Sequence, residues 1–294
     1  MRRRAEVRPS LRALATRLTL ALLVGVTAGC TSAAATRRFS ASAVAVTARL
    51  PDASAALVAS CRRTQSYRLR RSSAAWYGED SLRIACAGRD SALRAVARAN
   101  QVLAAYLTAL GSMAGEKPGE LDAPVNKLGD AVDSAGLFDR AQVDAIASLA
   151  GFAASHGAGG YRRVKLREAI TTQNANVQLL TSALHEIIDR DFARYLRDDE
   201  TAQTSFYRAA LTESGAREPL GAILIRDSYD EREAELVRRT EAVDALARAV
   251  TVVGRGHQRL YDARDHLNAK ELLASTVANA HEMEAAIAKF DKAF

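Results

Sequence analysis

The chain has 294 residues and carries 41 Lys and Arg against 34 Asp and Glu, a formal +7. Residues 1–29 hold six Arg and one Glu, a net +5, so the remainder carries only +2. That balance excludes a nucleic-acid-binding body built on overall basicity, and no Gly-aromatic RNA-binding pattern accompanies the Arg cluster of Arg62, Arg63, Arg68, Arg70 and Arg71.

In chain order the first element is a targeting segment. Arg2, Arg3, Arg4, Arg8, Arg12 and Arg17 precede an uncharged run from Leu18 to Gly29, and Cys30 follows. A positive n-region, a short apolar h-region and a small-residue exit read as a secretory signal over residues 1–29. The run falls short of the roughly 20 apolar residues that cross about 30 Å of hydrocarbon. The ending Thr27-Ala28-Gly29-Cys30 resembles a bacterial lipobox, with Thr27 where that pattern carries Leu. The resemblance implies acylation of Cys30 and its exposure as the mature N-terminus. A second A-x-A site, Ala33-Ala34-Ala35, stands just beyond. Cleavage after Ala35 would discard Cys30 and release a soluble protein, so both routes stay open. The position of Cys30 directly after the apolar run favours acylation.

Residues 31–48 are mostly Ala, Ser, Thr, Val and Arg, so residues 30–48 read as a lipidated N-terminus and flexible tether. Residues 49–294 then form the folded domain, long enough for a sizeable core. Residues 30–98 carry twelve Arg and four acids, +8, and residues 99–294 carry −6. An Arg-rich part beside the lipid that leans on an anionic surface is one reading, and a solvated helix face is the other.

With Cys30 acylated, Cys61 and Cys86 remain as an even pair in an oxidising compartment, which reads as a disulfide. Closing a loop of that size is worth about 3 kcal/mol in the chain-entropy account. Two buried free thiols are the alternative. Neither cysteine belongs to a C-x-x-C, so a redox-catalytic role is not expected.

The rest reads as helix, with apolar positions recurring at three and four. One helix starts near Asp52 and passes Cys61. A longer one starts around Asp80, carries Leu93, Val96, Leu103, Tyr106, Leu107 and Leu110, and stops at Gly115 and Pro118. A third carries Leu121, Val125, Leu128 and Val132. A fourth opens at Asp139 with Gln142 three residues on, a capping-box arrangement. Gly157, Gly159 and Gly160 break the chain, and a fifth helix runs from about Tyr161 to Glu213. After Gly215 and Pro219 a sixth runs from about Leu220 to Leu267, with Leu246, Val250, Val253, His257 and Leu260 on a heptad-like seam. Asn268 with Glu271 opens a seventh. The expectation is an all-α, elongated, antiparallel helical bundle with long helices, two of them near 70 Å at about 1.5 Å per residue.

Catalytic and metal signatures are not found. None of the five histidines follows an acidic residue at i−3, as a carboxylate-bridged di-iron bundle requires. His185-Glu186 is followed by Asp189 where a zinc protease needs its second histidine. No Gly-x-Ser-x-Gly elbow occurs. No metal, cofactor or catalytic residue is expected. The residue that stands out is His257, in Gly254-Arg255-Gly256-His257 on an apolar seam. Each helical Gly costs about 1 kcal/mol relative to Ala. Gly254 and Gly256 therefore mark either close packing around a half-buried, hydrogen-bonded His257, or a hinge or binding position.

The lipobox-like Cys30, Ser60-Cys61-Arg62-Arg63, Ala99-Asn100-Gln101-Val102-Leu103 with Tyr106-Leu107, and Gly256-His257-Gln258-Arg259-Leu260-Tyr261 together resemble uncharacterised helical lipoproteins of Gram-negative bacteria. The resemblance covers the chain in patches. It implies an envelope location, with Thr31 mildly favouring the outer membrane facing the periplasm, and no activity. The expected function is a non-enzymatic interaction or scaffold module, held to the membrane through acyl groups on Cys30 and bound to an unknown envelope protein. The alternative is an inhibitor or immunity-type lipoprotein that blocks a periplasmic toxin or hydrolase.

Overall fold

The computed structural model describes residues 33–72, 79–115, 136–156, 163–214, 217–264 and 269–293. The described residues are almost wholly helical and contain no strand. We number the helices α1 (33–47), α2 (Leu50–Ser72), α3 (Glu79–Ala114), α4 (Arg140–His156), α5 (Arg163–Glu186), α6 (Ala193–Ser214), α7 (Pro219–Asp262) and α8 (Ala269–Phe290). A π-helical segment, Ile187–Phe192, joins α5 to α6 without a break.

Local chemistry explains several of these boundaries. The Gln142 N–H donates to Asp139 Oδ1 at 2.8 Å, and the Asp139 N–H donates to Gln142 Oε1 at 2.9 Å. This reciprocal pair caps α4 as the sequence predicts. Pro219 opens α7, where its missing N–H costs nothing. Within the joined α5–α6 rod, the wider π turn places Ile187, Ile188, Asp191 and Phe192 inward together. The fifth helix read from the sequence is thus two α segments around a π turn.

Four rods run the length of the molecule: α1–α2, α3, α5–α6 and α7. At one end α1, α3, α5 and α7 pack with α4 and α8; at the other, α2, α3, α6 and α7 form a four-helix arrangement. The 44 residues of α7 extend about 66 Å at 1.5 Å per residue. Antiparallel contacts fix the levels. The Asn174 Nδ2 donates to Gln258 Oε1, Gln178 Nε2 donates to the Gly254 carbonyl, and His185 Nδ1 lies 3.1 Å from the Ala247 carbonyl, so α5 runs opposite to α7. Arg259 and Arg255 bond Asn279 and Glu282, so α8 runs opposite to α7 as well.

The flexible tether expected over residues 30–48 is corrected. Residues 33–47 are helical, and Ala35, Phe39, Ala43, Val46 and Leu50 are buried at 0 to 1 % exposure. Their spacing of four, four, three and four makes an apolar stripe. The small side chains that suggested a linker are what lets α1 pack closely. The arginines of residues 30–98 are spread along the α1–α2 rod and α3. Arg62 lies about 44 Å along the α1–α2 rod from residue 33, at 1.5 Å per residue. The helix expected around Leu121 to Val132, the glycines at 157, 159 and 160, Asn268 and Cys30 lie outside the described residues.

Candidate functional site

Packing at the six-helix end starts from two absent side chains. A Cβ on Gly254 would stand 2.6 Å from Thr181 Oγ1, and one on Gly256 would stand 2.5 Å from Phe39 Cε2. Real Cβ atoms do not approach so closely, so glycine at both places lets α5 and α1 close onto α7. The helix continues unbroken through both positions, and the geometry assigns the pair to packing.

His257, between those contacts in the fold, is fully buried rather than half-buried. The Tyr106 hydroxyl lies 2.7 Å from its Nε2, and Asn174 Oδ1 lies 2.9 Å from its Nδ1. Because Asn174 Nδ2 donates to Gln258 Oε1 at 2.7 Å, its Oδ1 faces the imidazole as the acceptor. The neutral ring therefore carries its proton on Nδ1, and Nε2 accepts from Tyr106. Gln258 Nε2 then donates to Asp262 Oδ1 at 2.8 Å. One directional chain of hydrogen bonds thus runs from buried Tyr106 to exposed Asp262. It crosses α3, α7 and α5 on the way.

The electrostatics follow from burial. Removal from water pushes the His257 pKa down to about 3 and pushes the Tyr106 pKa up. Phe39 meets the imidazole edge-on at 6.4 Å, and Phe152 meets Tyr106 at 5.7 Å. A neutral imidazole with both nitrogens engaged and no exposed surface has neither a proton to exchange at neutral pH nor a face open to a ligand. The polar chain holds three helices in register.

A second polar cluster lies in the four-helix part, and sequence reading missed it. Asp199 on α6 is 1 % exposed. It accepts hydrogen bonds from Ser60 Oγ and from Thr64 Oγ1, the latter at 2.9 Å, and Arg63 Nη2 stands 3.6 Å away. Beside it, Glu235 on α7 pairs with Arg232 and Arg239. Burial pushes the Glu235 carboxyl up, but the Arg232 hydrogen bond and the Arg239 and Arg63 charges outweigh it and leave it lowered. Burial lowers the Arg89 and Arg239 guanidinium pKa values, and Arg89 stacks 3.9 Å over the Tyr195 ring. The available signal was Ser60 and Thr64, four apart on the buried stripe of α2.

The disulfide expected between Cys61 and Cys86 is present, with a Cα–Cα distance of 6.0 Å, and it ties α2 to α3. Both cysteines are buried. Among the described residues no group of three His, Cys, Asp or Glu is placed to hold a metal ion.

The outer surface differs in character at the end of α7 away from α1. Leu220, Ile223 and Leu224 are 78, 56 and 67 % exposed, and Val237 is 54 % exposed. A groove between α6 and α7 runs beside Val237, floored by Leu196 and Leu236 and rimmed by Glu200, Glu233 and Glu241. No protein-family model, no curated protein and no solved structure matches the chain.

Proposed function

We propose that the protein is a lipid-anchored module of the cell envelope that binds a protein partner and does no chemistry of its own. The anchor rests on the signal-like residues 1–29 and the lipobox-like approach to Cys30. Several acyl chains together hold a protein stably at a membrane where one does not. The observation that carries the binding role is the apolar row Leu220, Ile223 and Leu224. Spaced three and four, it lies on one helical face in water. It stands at the end of α7 farthest from residue 33. A helix that keeps such a face exposed gains by covering it with a partner's apolar side chains.

Two measurements test this reading separately. Intact mass and fractionation of the wild type beside Cys30→Ala address the anchor. An acylated Cys30 and loss of the variant from membranes are expected. A soluble wild type starting at Thr36 would remove the anchor. Photo-crosslinking from Ile223, against a control position at exposed Ala147 on α4 in the six-helix part, addresses the partner. A discrete protein adduct from Ile223 alone supports the role. Equal or absent adducts at both positions reject it, and lipid adducts would make the row a membrane contact.

A further inference from the structure

The packed start of α1 restricts where the body sits if Cys30 is acylated. Thr31 and Ser32 separate Cys30 from residue 33, where the described helix starts, a reach of at most about 10 Å. The end of the bundle that contains residue 33 must then lie against the lipid surface, and its charge matters.

The structure identifies that end. Phe39 packs at the level of Gly256, so residue 33, six residues earlier, is level with Asp262, six residues later. Ser40 packs at the level of Gly111, and the Arg37 side chain approaches Gly115, which places the last turn of α3 there. Asn174 bonds Gln258 in antiparallel register, so Lys165 and Arg167 in the first turns of α5 lie beside the last turn of α7. Exposed Arg37, Arg38, Lys165 and Arg167 therefore share this end with half-buried Arg259 and Arg264. Among the described residues of the same turns the exposed acids are Glu168, Asp262 and Glu271. Asp262 already accepts from Gln258. The basic groups come from α1, α5 and α7, which lie far apart in sequence, while residues 99–294 as a whole carry −6. Arg37 and Arg38 come from the +8 part and Lys165, Arg167, Arg259 and Arg264 from the −6 part, so among the described residues the fold gathers basic groups of both parts at this end.

We propose that this end of the bundle is a binding surface for anionic phospholipid headgroups, docked flat on the membrane that holds the Cys30 acyl chains. Arg37, Arg38 and Lys165 supply the exposed charge. The inference rests on the anchored reading above for its biological setting, although the surface acts without the anchor. Docking in this way directs α7 away from the membrane, so that Leu220, Ile223 and Leu224 stand at the distal tip.

The test uses the mature chain, residues 30–294, carrying Cys30→Ala, so that binding by acyl groups and by the basic, apolar residues 1–29 is absent. Vesicles of phosphatidylglycerol mixed with phosphatidylcholine are compared with phosphatidylcholine alone in co-sedimentation at low and physiological salt. Binding to the anionic vesicles alone, weakened by salt, is expected. Each basic group at such a surface contributes about fivefold in partitioning, so Arg37→Glu with Lys165→Glu should reduce binding by more than tenfold. Arg62→Glu with Arg68→Glu, exposed on α2 at the other end, should leave it unchanged. Circular dichroism checks that each double variant keeps the wild-type fold. Equal binding to both vesicle types, no binding, or loss tracking the α2 arginines instead would each overturn the proposal. The anchor is read independently from the mass of the wild type. An acylated protein whose Cys30→Ala form ignores anionic vesicles would leave the anchored reading standing and this surface refuted. Vesicle binding by a chain that is never acylated would do the reverse.

Discussion

Tyr106 on α3 and His257 on α7 are joined by a 2.7 Å hydrogen bond, with the phenol donating to Nε2 at a point fully closed to water. Tyr106→Phe keeps the ring and its contact with Phe152 but removes the donor to that nitrogen. A buried acceptor left unmet costs about 1–3 kcal/mol. Chemical denaturation should therefore show a loss in that range with an unchanged slope. A loss under about 0.5 kcal/mol, an order-of-magnitude floor for such groups, would mean that water reaches the site.

The same histidine sets a pH dependence. Its folded pKa is about 3 and its ordinary value is 6.5. Between these values the unfolded chain binds a proton that the folded chain refuses, so stability rises with pH across that interval. The contribution is fully present above 6.5 and is lost as pH falls toward 3, with a limiting slope of about 1.4 kcal/mol per pH unit. His257→Gln removes this slope while reducing stability at neutral pH. The measurable quantity is the difference in unfolding free energy between wild type and variant at about pH 7 and about pH 5, either side of the ordinary histidine value. That difference should shrink toward acid; a constant difference would show that His257 is not held neutral.

Much of this architecture was legible from sequence, and the exceptions have physical causes. The α3 and α7 stripes announced themselves because Leu, Val and Ile recur at helical spacing. The α4 cap was legible because Asp139 and Gln142 have only one efficient use at that separation. The α1 stripe was missed because alanines bury little area each, so Ala35 and Ala43 look like linker composition until Gly111 and Gly256 are seen facing that helix. Gly254 and Gly256 showed their own unusual placement but not their partners, Thr181 and Phe39, which are distant in sequence. The Asp199 cluster was illegible as a unit, since Ser60 and Thr64 meet Asp199 only after α2 packs on α6.

Glycines make a further contrast. At Gly256 an added methyl meets the Phe39 ring, which is itself buried, so Gly256→Ala should destabilise by about 1–3 kcal/mol as overpacking does. Gly88 lies on an exposed stretch of α3, and a methyl added there would find nothing within 4 Å. Gly88→Ala should therefore stabilise by up to about 1 kcal/mol through helix propensity alone. Thermal melts of the two variants should move in opposite directions. Melts that moved together would remove the close-approach account of Gly256.

The Cys61–Cys86 bond lies one residue from Ser60, so the crosslink and the Asp199 cluster hold the same turn of α2. Cys61→Ser with Cys86→Ser should cost about 3 kcal/mol by freeing the unfolded chain. Asp199→Ala should cost about 1–3 kcal/mol, because the buried Ser60 and Thr64 hydroxyls lose their common acceptor inside the bundle. Two independent sites would add. These share a helical turn, and a freed α2 can withdraw Ser60 and Thr64 from the interior, so the combined variant should lose measurably less than the sum. Strict additivity in denaturant unfolding would show that α2 stays seated on α6 without its crosslink. A shortfall of about 0.5 kcal/mol or more, the lower range of coupling between neighbours, would show that the disulfide holds the Asp199 donors in place.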